Sequence, residues 1–140
     1  MGNKTSQIKM NYEDIQDKLL HGTNVNKYVL INTLLDNKQH CLIPTTINYH
    51  EEEDVINSLL NNNSDIEIII YGMNNNDESV VKKYKQLISL GFQNIYIYLG
   101  GMFEWLLLQE VYGNDHFPTT NLELDIIKYR PCKNEKMLLL

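Results

Sequence analysis

Hydrophobic positions along the chain switch between two periods. Tyr28-Val29-Leu30-Ile31 is an apolar run between polar flanks, which predicts a short buried strand. Ile66-Glu67-Ile68-Ile69-Ile70-Tyr71 is almost wholly β-branched, as a central parallel strand would be. Ile95-Tyr96-Ile97-Tyr98 predicts a further strand, and Thr46-Ile47-Asn48-Tyr49 a weaker strand or a turn. Helical spacing fills the intervals. Tyr12–Leu20 carries Ile15 and Leu19 on one face, with Asn11 as cap and Gly22 as stop. His50–Leu60 carries Val55, Ile56, Leu59 and Leu60 behind the acidic first turn Glu51-Glu52-Glu53, which complements the helix dipole. Asp77–Leu90 places Val80, Val81, Tyr84, Leu87 and Ile88 inward and Lys82, Lys83 and Lys85 outward, and Gly91 ends it. Gly100-Gly101 opens a last helix to about Tyr112, apolar nearly all round and therefore expected to be buried.

Strands alternating with helices predict an α/β fold, a single domain with a small parallel sheet flanked by helices on both faces. No repeat is present, and the chain divides into an N-terminal tail (1–10), the domain (11–113) and a C-terminal extension (114–140). Phe117, Ile126, Ile127, Tyr129 and the closing Met137–Leu140 give that extension apolar side chains for folding back on the body or for docking onto a partner.

Composition narrows the function classes. The 140 residues suit one domain, and 18 acidic against 12 basic side chains leave a net charge of −6, which argues against nucleic-acid binding. The two cysteines, Cys41 and Cys132, lie far apart and make neither a disulfide framework nor a zinc quartet, so a reducing, cytoplasmic setting is expected. His40, His50 and His116 show no ligand spacing with one another or with the cysteines, so neither a metal nor another cofactor is expected. No apolar run approaches the ~20 residues of a membrane span. The start Met1-Gly2-Asn3-Lys4-Thr5-Ser6 does not read as a secretory signal, but it fits the N-myristoylation pattern with Gly2 as acceptor. One acyl chain gives only marginal membrane binding, with an association constant on the order of 10⁴ M⁻¹, so peripheral membrane contact would need a bound partner as well.

In such a fold a ligand sits beyond the carboxyl ends of the strands. The loop after Tyr71, running Gly72-Met73-Asn74-Asn75-Asn76-Asp77-Glu78-Ser79, leads into a helix N-terminus, where backbone N–H groups and the dipole favour an anion. A thiol at the start of this loop would have a lowered pKa and act as a nucleophile.

Ile68-Ile69-Ile70-Tyr71, the loop, a helix ending Leu90-Gly91-Phe92, then Asn94-Ile95-Tyr96 and Gly100-Gly101-Met102-Phe103-Glu104-Trp105 together resemble the rhodanese-like domain. That family's pattern is an apolar strand, Tyr-Cys, the active-site loop, a helix, Gly-Phe/Tyr, a strand and Gly-Gly-x-x-x-Trp. Upstream, Val29-Leu30-Ile31-Asn32 stands where the family has an apolar run ending in Asp, and Ile43-Pro44-Thr45-Thr46-Ile47-Asn48 resembles its Ile-Pro-Gly-Ala-Ile-Asn. The resemblance covers about residues 11–113 and implies a sulfur-carrying loop cysteine or, in related phosphatases, a Cys followed after five intervening residues by an Arg.

The chain departs from the pattern at both chemical positions. Gly72 occupies the place of the nucleophile, and the arginine position falls on Asp77 or Glu78. Exchanging a cation for a carboxylate about 4 Å from a bound anion is a swing on the order of several kcal/mol at an effective dielectric near 20. Asp77 and Glu78 therefore read as the helix's own cap and first-turn acid. The expectation is a rhodanese-like domain without catalytic residues, acting as a protein-interaction or structural module, as an adaptor or within a larger assembly. The competing expectation is a sulfurtransferase or phosphatase-like enzyme using Cys41 or Cys132. Cys41 otherwise reads as a small buried hydrophobe, and Cys132, beside Arg130 and Lys133, as an exposed thiol. A third reading is a small-ligand sensor in the uncharged Asn74-Asn75-Asn76 loop.

Overall fold

The computed structural model describes residues 8–21 and 27–132. Four strands form an all-parallel sheet in the order β1-β4-β3-β2: β1 (Lys9–Met10), β2 (Tyr28–Asn32), β3 (Glu67–Tyr71) and β4 (Ile95–Tyr98). Four α-helices accompany them: α1 (Tyr12–His21), α2 (Glu52–Asn62), α3 (Glu78–Leu90) and α4 (Gly101–Tyr112). Because side chains alternate across a strand, β2, β3 and β4 each feed two cores. Leu30, Ile69, Tyr71 and Tyr98 pack with Ile15 of α1 and with Met102, Trp105 and Leu106 of α4. Ile31, Ile68, Ile70, Ile95 and Ile97 point the other way, onto Ile56 of α2 and Val80 and Leu87 of α3. The expected sheet with helices on both faces is thus the observed fold. The Thr46 segment is a single parallel bridge to Leu30.

Helix ends follow local chemistry. The Asn11 side chain accepts from the amides of Glu13 (2.9 Å) and Asp14 (3.1 Å), while Asp14 Oδ2 accepts from Asn11 N (2.9 Å), a reciprocal cap. Gly22, expected to end this helix, lies outside the described residues, as do Gly2 and Met137–Leu140.

Several expectations change. Residues 1–10 read as a tail, yet Lys9 and Met10 pair with Ile97 and Tyr98 as the edge strand. A two-residue strand carries no period that a sequence could display. Val81 and Ile88, predicted inward by the helical spacing, are exposed, because α3 buries only Val80 and Leu87 and half-buries Tyr84. The expected burial of α4 is likewise one-sided: Met102, Trp105 and Leu106 are buried, whereas Leu107, Val111 and Tyr112 face outward.

The extension beyond α4 folds back. Phe117 is buried among Tyr12, Trp105 and Tyr112, with ring centroids 5.6, 5.1 and 6.1 Å away. Tyr129, at the end of a 3-10 turn (Ile126–Tyr129), is wholly buried in the same core.

Candidate functional site

β3 delivers the chain to Gly72, and the loop then turns into α3. Asp77 closes this loop on itself. Its Oδ1 accepts from the amide (3.0 Å) and hydroxyl (2.6 Å) of Ser79, capping α3, and its Oδ2 accepts from the amide of Met73 at 2.9 Å. The Asn74 side chain accepts from Asn76 N at 2.8 Å. A carboxylate of the chain itself therefore takes two of the amide donors at this loop, those of Met73 and Ser79.

The second helix pointing at the loop is also satisfied from within. The first turn of α4 donates Met102 N to Gly72 O (2.9 Å) and Phe103 N to Met73 O (2.8 Å). Gly101 makes this approach feasible. Its φ is +66°, and a Cβ there would meet Gly72 O at 2.7 Å and Asn74 N at 2.8 Å.

Gly72 itself is buried, and a side chain there would have to displace its neighbours. A Cβ built on it would meet Val80 Cγ2 at 2.6 Å and Thr33 Oγ1 at 2.8 Å, and would press on Asp77 Oδ2 as well. Thr33 is fixed there by the Ser79 hydroxyl, 2.8 Å away, and by its own amide, which donates to Tyr71 O at 3.0 Å. Neighbouring Asn32, 3% exposed, forms a neutral pair with Gln39: Asn32 Oδ1 accepts from Gln39 Nε2 (2.7 Å) and Leu34 N (3.0 Å), and Asn32 Nδ2 donates to Gln39 Oε1 (3.2 Å).

The C-terminal extension covers one side of this loop. Asn74 is buried, and its Nδ2 donates to the backbone oxygen of Tyr129 at 2.8 Å. Asn75, Asn76 and Glu78 remain exposed. The contact between Asn74 and Tyr129 spans 55 positions, and no local sequence signal announces it.

The other candidates lie apart from the loop's donors. Cys41 is fully buried, its Sγ donates to Asn121 O at 3.3 Å, and burial pushes the thiol pKa up, which keeps it protonated. Cys132 is exposed on the extension. Buried Tyr71 accepts from Ile43 N at 3.2 Å and pairs with Thr46 Oγ1 at 2.7 Å, and desolvation raises its pKa well above the ordinary phenol value. His40 pairs with Glu123 at 2.7 Å. No group of three or more His, Cys, Asp or Glu side chains suited to a metal occurs among the described residues. Among the same residues, no helix is long and apolar enough to cross a membrane. An open groove of about 870 Å³ runs between α2 and α3, with Thr33, Tyr49, Ile56, Ser79 and Leu87 in its walls, and Glu52 and Lys83 form an ion pair there.

Comparison with known proteins agrees with this architecture. The chain matches the family model described as the rhodanese-like domain over residues 10–108. In structure it is similar to the BH2092 protein from Bacillus halodurans, with a TM-score of 0.62, 15% identity, and coverage of 96% of this chain and 92% of that one. It is also similar to the crystal structure of the Alr3790 protein from Anabaena sp., with a TM-score of 0.58, 16% identity, and 85% and 97% of the two chains covered. The solution structure of the rhodanese-like domain from Alr3790 gives a TM-score of 0.56 at 17% identity, covering 91% and 86%. At such identities the likeness concerns the fold alone. No curated protein matches the sequence significantly. With about 99 consecutive residues fitting the family model, the four parallel strands in place and Gly101 seated against the loop, the chain belongs to the rhodanese-like domain family.

Proposed function

We propose that this rhodanese-like domain is non-catalytic and serves as a protein-interaction or structural module, a cytoplasmic adaptor or a subunit of a larger assembly. One observation carries the reading. The position from which a nucleophile would reach substrate is Gly72, crowded by Val80 and Thr33, and the nearby amides of Met73 and Ser79 already bind the Asp77 carboxylate. A second anion would meet that negative charge rather than a cation, which costs more than helix-terminal amides return, since dipole stabilisation is typically ~0.3–1 kcal/mol. Acylation of Gly2 would add peripheral membrane contact to such a module. The partner is a protein, and neither a cofactor nor nucleic acid is part of this reading.

The competing enzyme reading rests on Cys41 or Cys132. Cys41 is buried with a raised pKa, the opposite of an activated thiolate. A thiosulfate:cyanide sulfurtransferase assay and an aryl-phosphatase assay on the wild type, Cys41→Ser and Cys132→Ser separate the two. No turnover above buffer is expected; turnover abolished by either substitution would end the non-catalytic reading. Intact mass of protein from its native source tests the acylation of Gly2, where an unmodified N-terminus would remove the membrane contact.

A further inference from the structure

The segment that follows Phe117 is built inside out. Leu122, Leu124 and Ile127 are 75%, 78% and 58% exposed, whereas the hydroxyl of wholly buried Tyr129 has no hydrogen-bond partner among the described residues. A buried donor without an acceptor opposes the docked state, and the exposed side chains of Leu122, Leu124 and Ile127 add no burial that would favour it. Such local conflict marks a segment whose closed position is weakly held compared with the core beneath it.

Apart from the buried ring of Tyr129 and the partly buried Ile126, what holds it is polar and strung along one line. Thr120 N donates to Leu42 O (2.8 Å), Leu42 N donates to Thr120 Oγ1 (3.0 Å), and Asn121 Nδ2 donates to His40 O (2.6 Å). Glu123 then ties His40 to Lys128, at 2.7 and 2.6 Å. The root of the segment is held differently. Trp105 Nε1 donates to Pro118 O and Gln109 Nε2 to Phe117 O, both at 2.8 Å, with the Phe117 ring buried beneath.

We infer that residues 119–130 form a strap that swings open as a unit from its root at Phe117-Pro118 while the sheet stays folded, uncovering both the Cys41 thiol and the loop at Asn74. The closed strap covers these groups through Asn121 and Tyr129; the open strap frees the face on which the module's loop stands. This inference holds whether or not the loop is catalytic.

Thiol labelling of the full chain tests it. In a Cys132→Ser parent, Cys41 is the only thiol left, and its modification by N-ethylmaleimide is followed by intact mass, alongside hydrogen exchange of the β3 amides. In the parent, Cys41 is expected to react faster than the β3 amides open. Tyr129→Phe, which removes the unpartnered hydroxyl and keeps the ring, is expected to slow labelling on the order of tenfold. Asn121→Ala with Glu123→Gln is expected to speed it by a similar factor, with β3 exchange unchanged. Labelling that tracks β3 exchange in every variant, or that proceeds at the parent rate in both, overturns the strap. Neither result bears on sulfur transfer, so the strap and the non-catalytic reading fail separately.

Discussion

Asp77 reaches back across the loop to the amide of Met73, its Oδ2 2.9 Å from that nitrogen, and in doing so fills the space beside Gly72. A side chain at residue 72 and the Asp77 carboxylate thus compete for one volume. Gly72→Cys is expected to destabilise the domain by about 1–3 kcal/mol through overpacking and to give no sulfur transfer. Gly72→Cys combined with Asp77→Ala should lose less than the two single losses added together, since the removed carboxylate makes room. Urea denaturation of the four proteins in this cycle measures the coupling; strict additivity would contradict the shared volume.

Thr45 adopts φ +70°, the one non-glycine residue in the left-handed region among those described. It follows Pro44 in a turn closed by Thr46 N donating to Ile43 O at 3.2 Å, the type II pattern that favours glycine at its third position. A β-branched side chain there is strained, offset only by an exposed hydrogen bond of 2.9 Å with the Tyr28 hydroxyl. Thr45→Gly should therefore leave stability unchanged or raise it by up to about 1 kcal/mol, despite the greater freedom of glycine in the unfolded chain. Thermal melts of the two proteins decide this, and a clear loss of stability would show that the hydrogen bond outweighs the strain.

Acid should loosen the extension. Glu123 is held down to a pKa of about 2 by hydrogen bonds from Lys128 and the Asp125 amide, against an ordinary 4.5. The unfolded chain takes up this proton first as pH falls, so the contribution of Glu123 is complete above about pH 4.5 and disappears on the way to about pH 2. Stability measured by urea across that window should fall more steeply for the wild type than for Glu123→Gln. Parallel curves would mean that the carboxylate contributes nothing.

Alkali acts on the interior. Burial pushes the pKa values of Tyr71, Tyr98 and Tyr129 well above the ordinary value of 10.0, and Tyr98 is raised further by its hydrogen bond to Glu104. With folded values above unfolded ones, the stability they confer is present below pH 10 and is lost as pH rises beyond it. A spectrophotometric titration near 295 nm should show these phenols ionising together with unfolding rather than before it. Early ionisation of all nine tyrosines of the chain would refute that.

What could be read from the sequence was mostly local. The run Ile68-Ile69-Ile70 and the stop at Gly91 define β3 and α3 without any neighbour, and Gly72 beside Asp77 already disclosed a loop lacking thiol and arginine. What could not be read depends on distant partners. Val81 and Leu107 share the apolar character of Val80 and Leu106, and only the angle at which each helix meets the sheet decides which of them is covered. The reach of Asp77 to Met73 depends on the loop's path, and the cover over Asn74 comes from a tyrosine 55 residues away. Neither has a spacing that a sequence can announce.

Trp105 is the single tryptophan of the chain, fully buried, with its indole N–H fastened to Pro118 O at 2.8 Å. Fluorescence excited at 295 nm therefore comes chiefly from one chromophore, placed at the seam where α4 meets the segment beyond it. Its emission maximum and its quenching by acrylamide report on that joint directly, so the wild-type protein carries its own optical probe and needs no engineered label.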